Sequence, residues 1–324
     1  MMAGMSPRAF PILFITSTRI GDAVLSSGLI RKLAAEAPGA RFTIVAGPLA
    51  APLFEHVPNL DALIVMEKRK LGGHWWRLWN QVRRREWGLV VDLRGSMIST
   101  FLRRKRRAVH RRGANDTHKV IEAARLLQVQ DDPPAPFLYV DEATRAQAAE
   151  LCAGPRPILA LGAAANWVGK VWPVERFAQV ANRLLAKGGP LDGGRLMLLG
   201  GPDDVRSLEE LRRVVPKERL IDLVGQVDLR TAYACLAHAR LFVGNDSGLM
   251  HLAAAAGTPT LGLFGPSDER LYGPWGPHAR ALRGPRSFEQ FKAVDANLNQ
   301  TIRHMSDLPV DAVLKAATAL IAET

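Results

Sequence analysis

Apolar and polar positions alternate along this chain in two long series. Short apolar runs at residues 10–16, 41–46, 62–66, 88–92 and 107–110 are bounded by turn residues and read as strands. Stretches with helical spacing lie between them, including 23–36 and 117–128. Asp131-Asp132-Pro133-Pro134-Ala135-Pro136 interrupts the series, because prolines lack the backbone donor that a helix interior needs. A helix over 142–152 follows, then the break Gly154-Pro155-Arg156-Pro157. The second series opens with a strand over 158–162 and continues with strands over 195–199, 220–222, 241–243 and 260–264. A last helix covers 310–322. Alternation of strand and helix predicts an α/β protein with parallel sheets. The expected domains are 1–152 and 158–308, with 309–324 a final helix able to pack back on the first domain. There is no internal repeat and no low-complexity tract.

Composition agrees with this picture. A chain of 324 residues has room for two domains of about 150 residues each. Hydrophobic residues make up 48%, and mean hydropathy is near zero, as in a soluble globular protein. No apolar run approaches the roughly 18 residues that a membrane span needs. Residues 10–15 are too short for a signal peptide, so the expected compartment is the cytoplasm. Two cysteines, Cys152 and Cys235, cannot build a disulfide framework and read as buried thiols.

Charge changes the picture more. Residues 1–140 hold 22 basic and 11 acidic residues, whereas residues 141–324 hold 21 and 20. Nearly all of the +12 excess therefore belongs to the first half, which suggests an anionic partner there. Arg103-Arg104-Lys105-Arg106-Arg107 with Arg111-Arg112 is its densest part, and Arg19, Lys68, Arg69 and Lys70 can join the same field. Such a run is either a solvated face or a site for a phosphorylated ligand. Nucleic acid is disfavoured, since no aromatic stacking motif or zinc spacing accompanies it. Trp75, Trp79 and Val82 form a helical stripe beside several arginines, which suits either core packing or a membrane interface.

Three segments carry candidate chemistry. Gly244-Asn245-Asp246-Ser247-Gly248-Leu249-Met250-His251 follows a strand and opens a small-residue helix, whose N-terminal N–H groups suit an anion. In that segment Asp246 can cap the helix, Ser247 and Gly248 permit close approach, and His251 adds a donor one turn in. The second is Arg19-Ile20-Gly21-Asp22, a turn at the carboxyl end of the opening strand, where Asp22 is either a cap or a reactive carboxylate. The third is a loop carrying Lys170 before a helix that starts near Pro173. Gly200-Gly201, at another strand end, either turns the chain or lets a base or ribose approach the backbone. Asp92-Leu93-Arg94-Gly95 also follows a strand. No G-x-G-x-x-G follows the first strand, which disfavours a nicotinamide-dependent oxidoreductase.

Together these segments resemble the ADP-heptose:lipopolysaccharide heptosyltransferases, glycosyltransferase family 9. The resemblance is carried by R-x-G-D at Arg19 to Asp22, G-K-x-W-P-x-E-R-F at Gly169 to Phe177, and L-G-G-P-x-D starting at Leu199. D-S-G-x-x-H-L-A-A-A-x-G-x-P, from Asp246 to Pro259, is the most specific part. It spans about residues 12–272. One departure is Ser27-Gly28, where many relatives carry proline, and it leaves the course of the first helix open.

The resemblance implies the GT-B architecture, two Rossmann-like domains facing a cleft, and an inverting transfer without metal or other cofactor. Asp22 is then the general base that takes the proton of the attacking sugar hydroxyl. The expected donor, ADP-heptose or a related nucleotide sugar, falls to Lys170, Gly200, Gly201, Asp246, Ser247, Gly248 and His251. The expected acceptor is a phosphorylated lipid-linked sugar of the lipopolysaccharide inner core. It falls to Arg19, Asp92, Arg94, Arg103, Arg104 and Arg106, with peripheral contact at the cytoplasmic face of the inner membrane. Alternatives are another nucleotide sugar or acceptor within the family, and a non-catalytic basic module that binds membrane or nucleic acid.

Overall fold

Parallel strands organise both halves of the protein. The computed structural model describes residues 9–37, 39–67, 70–110, 117–296 and 302–324. The chain divides into two units, Met1–Tyr139 and Val140–Thr324.

In the first unit, β1 (Phe10–Ile15), β2 (Ala40–Ala46), β3 (Leu60–Val65), β4 (Trp87–Asp92) and β5 (Arg104–Val109) lie in the order β3-β2-β1-β4-β5. Every pairing is parallel. Central strands such as β4 are buried throughout, as expected where helices cover both faces. The helices are α1 (Ile20–Ser26), α2 (Gly28–Glu36), α3 (Gly73–Val82) and α4 (Lys119–Arg125). Strand β5 begins three residues before the expected start, so most of the basic run is part of the sheet edge. Its backbone pairs with β4 while its charged side chains remain largely exposed, which also guards an edge strand against pairing with another chain.

The single helix expected over 23–36 is two helices. At the joint, the Ser27 hydroxyl donates to the Val24 carbonyl at 2.6 Å and accepts from the Phe137 N–H at 2.9 Å. A Cβ at position 28 would stand 2.2 Å from the Pro134 carbonyl oxygen, so Gly28 gives the proline-rich segment its room. The Ser-Gly pair thus bends the helix around that segment.

The second unit contains α5 (Glu142–Leu151), β6 (Ile158–Gly162), α6 (Val174–Leu185), β7 (Arg195–Leu198), β8 (Leu220–Asp222), α7 (Leu229–Leu236), β9 (Leu241–Asn245), α8 (Gly248–Ala255), β10 (Thr260–Phe264), α9 (Glu269–Tyr272), β11 (Ala279–Arg283), α10 (Phe288–Val294) and α11 (Val310–Glu323). Its strands run parallel in the order β11-β10-β9-β6-β7-β8. Helix α5 packs on α7 and so belongs here, not at the end of the first domain. Cys152 and Cys235 are buried free thiols at that contact, with the Cys152 thiol 3.8 Å from the Cys235 carbonyl.

Helix α11 packs on α6 and on β9 to β11 of this unit. Val313, Ala317 and Leu320 are at most 1% exposed in the core shared with Leu161, Phe177 and Leu263. Full burial of a Val or Leu side chain contributes about 1.5–3 kcal/mol, so the sequence stripe at i, i+4 and i+7 anchors the helix to this unit.

In each unit the strand order reverses beside the first strand: between β1 and β4, and between β6 and β9. Open parallel sheets bind ligands at the carboxyl ends of strands at such a reversal. Among the described residues no helix is long and apolar enough to cross a membrane.

Candidate functional site

In the second unit, the carboxyl ends of β6 and β9 bring two of the sequence-predicted segments together. Asn245, the last residue of β9, is fully buried. Its amide donates to the Ala163 carbonyl at 2.7 Å, and its side-chain oxygen accepts from the Trp172 N–H at 3.0 Å. One side chain therefore clamps both ends of the loop that carries Lys170. Burial makes both hydrogen bonds matter, because an unmet amide there would cost about 1–3 kcal/mol. The Trp172 ring is itself buried, donating to the Leu308 carbonyl at 3.0 Å and packing edge-on against Phe177.

Lys170 ends a short 3₁₀ turn and forms an ion pair with Asp246, Nζ to Oδ2 2.6 Å. Asp246 does not cap the next helix as expected, because Lys170 holds its carboxylate. Ser247 takes the cap position of α8 with extended backbone, and its hydroxyl makes no cap hydrogen bond. That hydroxyl is buried and has no hydrogen-bond partner among the described residues. Beside it begin the helix N–H groups that lack intrahelical acceptors, along with the positive end of the helix dipole. A cation, a hydroxyl and a helix N-terminus thus converge at the sheet reversal, a combination suited to a phosphate or diphosphate.

Gly200-Gly201 follow β7, the strand beside β6. The Gly201 N–H donates to Asp204 at 2.8 Å, and the Gly200 carbonyl accepts from Gly225 at 3.0 Å, so the pair is fixed as a turn at the same sheet edge. His251 is buried within α8 rather than displayed on its surface.

In the first unit, Asp22 sits in the first turn of α1, directly after β1. It is not the cap; that position is Arg19, an exposed residue without a side-chain cap bond. Asp22 is half-buried and accepts from the Ser17 hydroxyl at 3.3 Å. A partly exposed carboxylate at the end of the first strand, held by a hydroxyl, can take a proton from an alcohol.

Asp92 departs from the acceptor role expected of it. It is fully buried, accepting from the Arg94 N–H at 3.0 Å and from the Ser96 hydroxyl at 2.5 Å. Its burial pushes the carboxyl above its ordinary range, while those hydrogen bonds pull it back. This carboxylate holds the turn after β4 and has no surface left for a ligand. The Arg94 guanidinium stacks over the Trp75 ring at 5.3 Å, and burial lowers its pKa. Arg103 and Arg106 are exposed, and Arg104 donates to the Leu102 carbonyl at 2.8 Å. Lys68, Arg69, Arg111, Arg112 and the Lys70 side chain lie outside the described residues.

Sequence reasoning missed the roles of Asn245 and Ser17. Asn245 stood inside the motif, but its clamp joins residues 73 and 82 positions away, which no local pattern reveals. Ser17 lies five residues before Asp22, a spacing that only the turn between β1 and α1 makes short.

Comparison with known proteins bears on the family and the fold. The family described as "Glycosyltransferase family 9 (heptosyltransferase)" matches residues 115–300. The lipooligosaccharide heptosyltransferase 2 of Haemophilus influenzae is 27% identical over 312 residues, covering 84% of this chain and 88% of that protein. A glycosyl transferase family 9 structure from Veillonella parvula superposes with TM-score 0.79 at 21% identity, covering 99% of this chain and 100% of that one. The E. coli ADP-heptose lps heptosyltransferase II structure gives 0.74 at 23% identity, covering 97% and 99%. These likenesses show the GT-B fold. With more than half of its length matched, and with the Lys170 and Ser247 segments inside the matched region, the chain belongs to glycosyltransferase family 9, the heptosyltransferases.

Proposed function

We propose that this glycosyltransferase moves heptose from ADP-heptose to a phosphorylated inner-core lipopolysaccharide acceptor, with inversion and without a metal ion. The observation that carries the reading is the convergence of Lys170, Ser247 and the α8 N-terminus at the β6/β9 reversal of the second unit. The donor diphosphate sits against that helix terminus. Lys170 turns from Asp246 to the diphosphate and balances the charge that grows on the leaving ADP. Ser247 donates its hydroxyl to a phosphate oxygen, and Gly200-Gly201 border the nucleoside.

Asp22 accepts the proton of the acceptor hydroxyl as that oxygen attacks the anomeric carbon. The bond from that carbon to the diphosphate breaks on the opposite face, so the configuration inverts. One carboxylate is enough for this chemistry, unlike the paired carboxylates of glycoside hydrolysis. The exposed arginines of the first unit, Arg19, Arg103 and Arg106 with Arg104, meet the acceptor's phosphates. Their excess of charge supports that assignment.

The test is transfer with purified protein, a heptose-free lipopolysaccharide acceptor and a panel of nucleotide sugars, read by product mass and anomeric configuration. Heptose added from ADP-heptose with inverted configuration is the expected result. Addition of a different sugar, or retention of configuration, overturns the reading.

A further inference from the structure

The loop that carries Lys170 rests at both ends on one short stretch, the 3₁₀ turn His304–Asp307 with Leu308 after it. At the loop's end, the Leu308 carbonyl accepts from the Trp172 indole at 3.0 Å and from Arg176 at 2.7 Å. At its start, the His304 ring meets the Trp167 ring edge-on, with centroids 5.9 Å apart. Trp167 is tied to Lys170 directly. It precedes the 3₁₀ turn Val168–Lys170, and its carbonyl accepts from the Lys170 N–H at 3.0 Å. A Cβ at position 169 would stand 2.5 Å from the Trp167 ring, so Gly169 lets the indole fold against that turn. The supporting stretch is itself fixed, because Arg286 donates to the Asp307 carboxylate and to the His304 carbonyl.

Histidine is a costly residue for that place. Its ring is fully buried between Trp167 and Phe291, the latter 5.4 Å away, and both ring nitrogens lack a hydrogen-bond partner among the described residues. A phenyl ring would fill the same space without two unmet polar atoms. What imidazole adds is a proton that comes and goes near neutral pH. Three charged groups face it. Arg286 comes from the loop before α10 and opposes a proton there, while Asp295 at the end of α10 and Asp307 on the same turn favour one. Asp307 is engaged by Arg286. Asp295 is 1% exposed, and its carboxylate lies 4.0 Å from His304 Nε2, beyond hydrogen-bond reach. A protonated ring left in place therefore has no acceptor, and a small movement toward Asp295 supplies one.

We propose that His304 is a positioning residue for Lys170: its neutral ring seats Trp167 against the Lys170 turn, and protonation draws the ring toward Asp295 and releases that seat. His304 touches no substrate in this account and acts only through Trp167. Its effect on the donor rests on the diphosphate role proposed for Lys170. The sign follows from burial. The seated ring is neutral and the released ring takes the proton, so seating is present above about pH 6.5 and is lost as pH falls.

The experiment compares the full-length wild type with His304→Phe, which keeps a ring in the aromatic contact and cannot take a proton. Calorimetric titration with ADP at pH 7.5 and 5.5 reads the donor site; the titration of ADP itself is common to both proteins and cancels. The two should bind alike at pH 7.5. At pH 5.5 wild type should lose about three- to tenfold more affinity than His304→Phe, since one pH unit below an ordinary histidine pKa favours the released ring by at most about tenfold. The indole N–H resonance of Trp167, assigned by its loss in Trp167→Phe, reads the seat without any ligand. It should move between the two pH values in wild type and stay in place in His304→Phe. Thermal unfolding at both pH values confirms that each protein is folded; if His304→Phe is not, His304→Leu takes its place. A ring that only fills space gives the same pH response in both proteins, and equality in either measurement overturns the proposal. If wild type binds no ADP at pH 7.5, the donor reading has failed, and the Trp167 resonance alone then decides whether His304 seats the loop.

Discussion

Replacing Lys170 by methionine separates its ion pair with Asp246 from the diphosphate role proposed for it. Its partner Asp246 has a side chain 8% exposed, while Lys170 itself is 27% exposed. Breaking a fully buried pair costs about 3–5 kcal/mol and an exposed one about 0–1, so this pair should cost about 1–3 kcal/mol. For a unit of this size that lowers its unfolding midpoint by about 2–12 °C. Binding suffers separately. A charge-assisted hydrogen bond to a phosphate contributes about 1.5–3 kcal/mol, so ADP affinity should fall roughly 10- to 150-fold. The double variant Lys170→Met with Asp246→Asn distinguishes the two. It leaves no uncompensated carboxylate, so stability should return to within about 1 kcal/mol of wild type, while ADP binding stays weak. Calorimetric titration with ADP and denaturant unfolding give both quantities for wild type, Lys170→Met and the double variant. A folded Lys170→Met protein that binds ADP within about twofold of wild type would refute the diphosphate role of this lysine.

Asp22→Asn should abolish transfer and leave ADP affinity within a few-fold, since the amide keeps the shape but takes no proton; turnover near wild type removes Asp22 as base. Excess EDTA should leave transfer intact, and activity lost to EDTA and restored by Mg²⁺ would overturn the metal-free account. Neutralising Arg103, Arg104 and Arg106 together should raise the acceptor KM and spare the donor KM, and salt should mimic it, because exposed charges are screened within about 8–10 Å. His304 is fully buried between Trp167 and Phe291, and burial, then the charge of Arg286, lowers its pKa against the pull of Asp295 and Asp307. Its unfolded form therefore takes a proton first, and the stability it contributes is present above about pH 6.5 and lost as pH falls below that value. Denaturant unfolding at pH 7.5 and 5.5 should show this loss in wild type and a smaller one in His304→Phe; equal losses would count against it.

The strand pattern was legible because parallel strands covered on both faces are apolar runs. β6, β8 and β10 coincide with their expected ranges. β11 was not legible: its sequence, Ala-Arg-Ala-Leu-Arg, has one large apolar side chain between two arginines, and pairing with β10 makes it a strand. β5 was half legible for the same reason, since backbone pairing overrides four consecutive basic residues. At the site, the residue types were readable and their partners were not. Lys170 and Asp246 were both selected for a ligand, yet they meet each other from 76 residues apart. The destination of Asp92, a buried turn clamp, depends on Ser96 and on its own burial, neither of which a D-x-R-G pattern states.

The Asn245 clamp also has a consequence for folding order. It joins the end of β9 to Ala163 and Trp172, across 82 and 73 residues. Contacts so distant in sequence close only after much of the intervening chain is ordered, because the entropy of loop closure must be met first. The Lys170 loop therefore has no fixed position until β9 lies beside β6. On the proposed reading, a partly folded second unit therefore offers the donor nucleotide no site. Binding is then a property of the completed sheet, and a bound nucleotide holds the whole unit together rather than only the loops it touches.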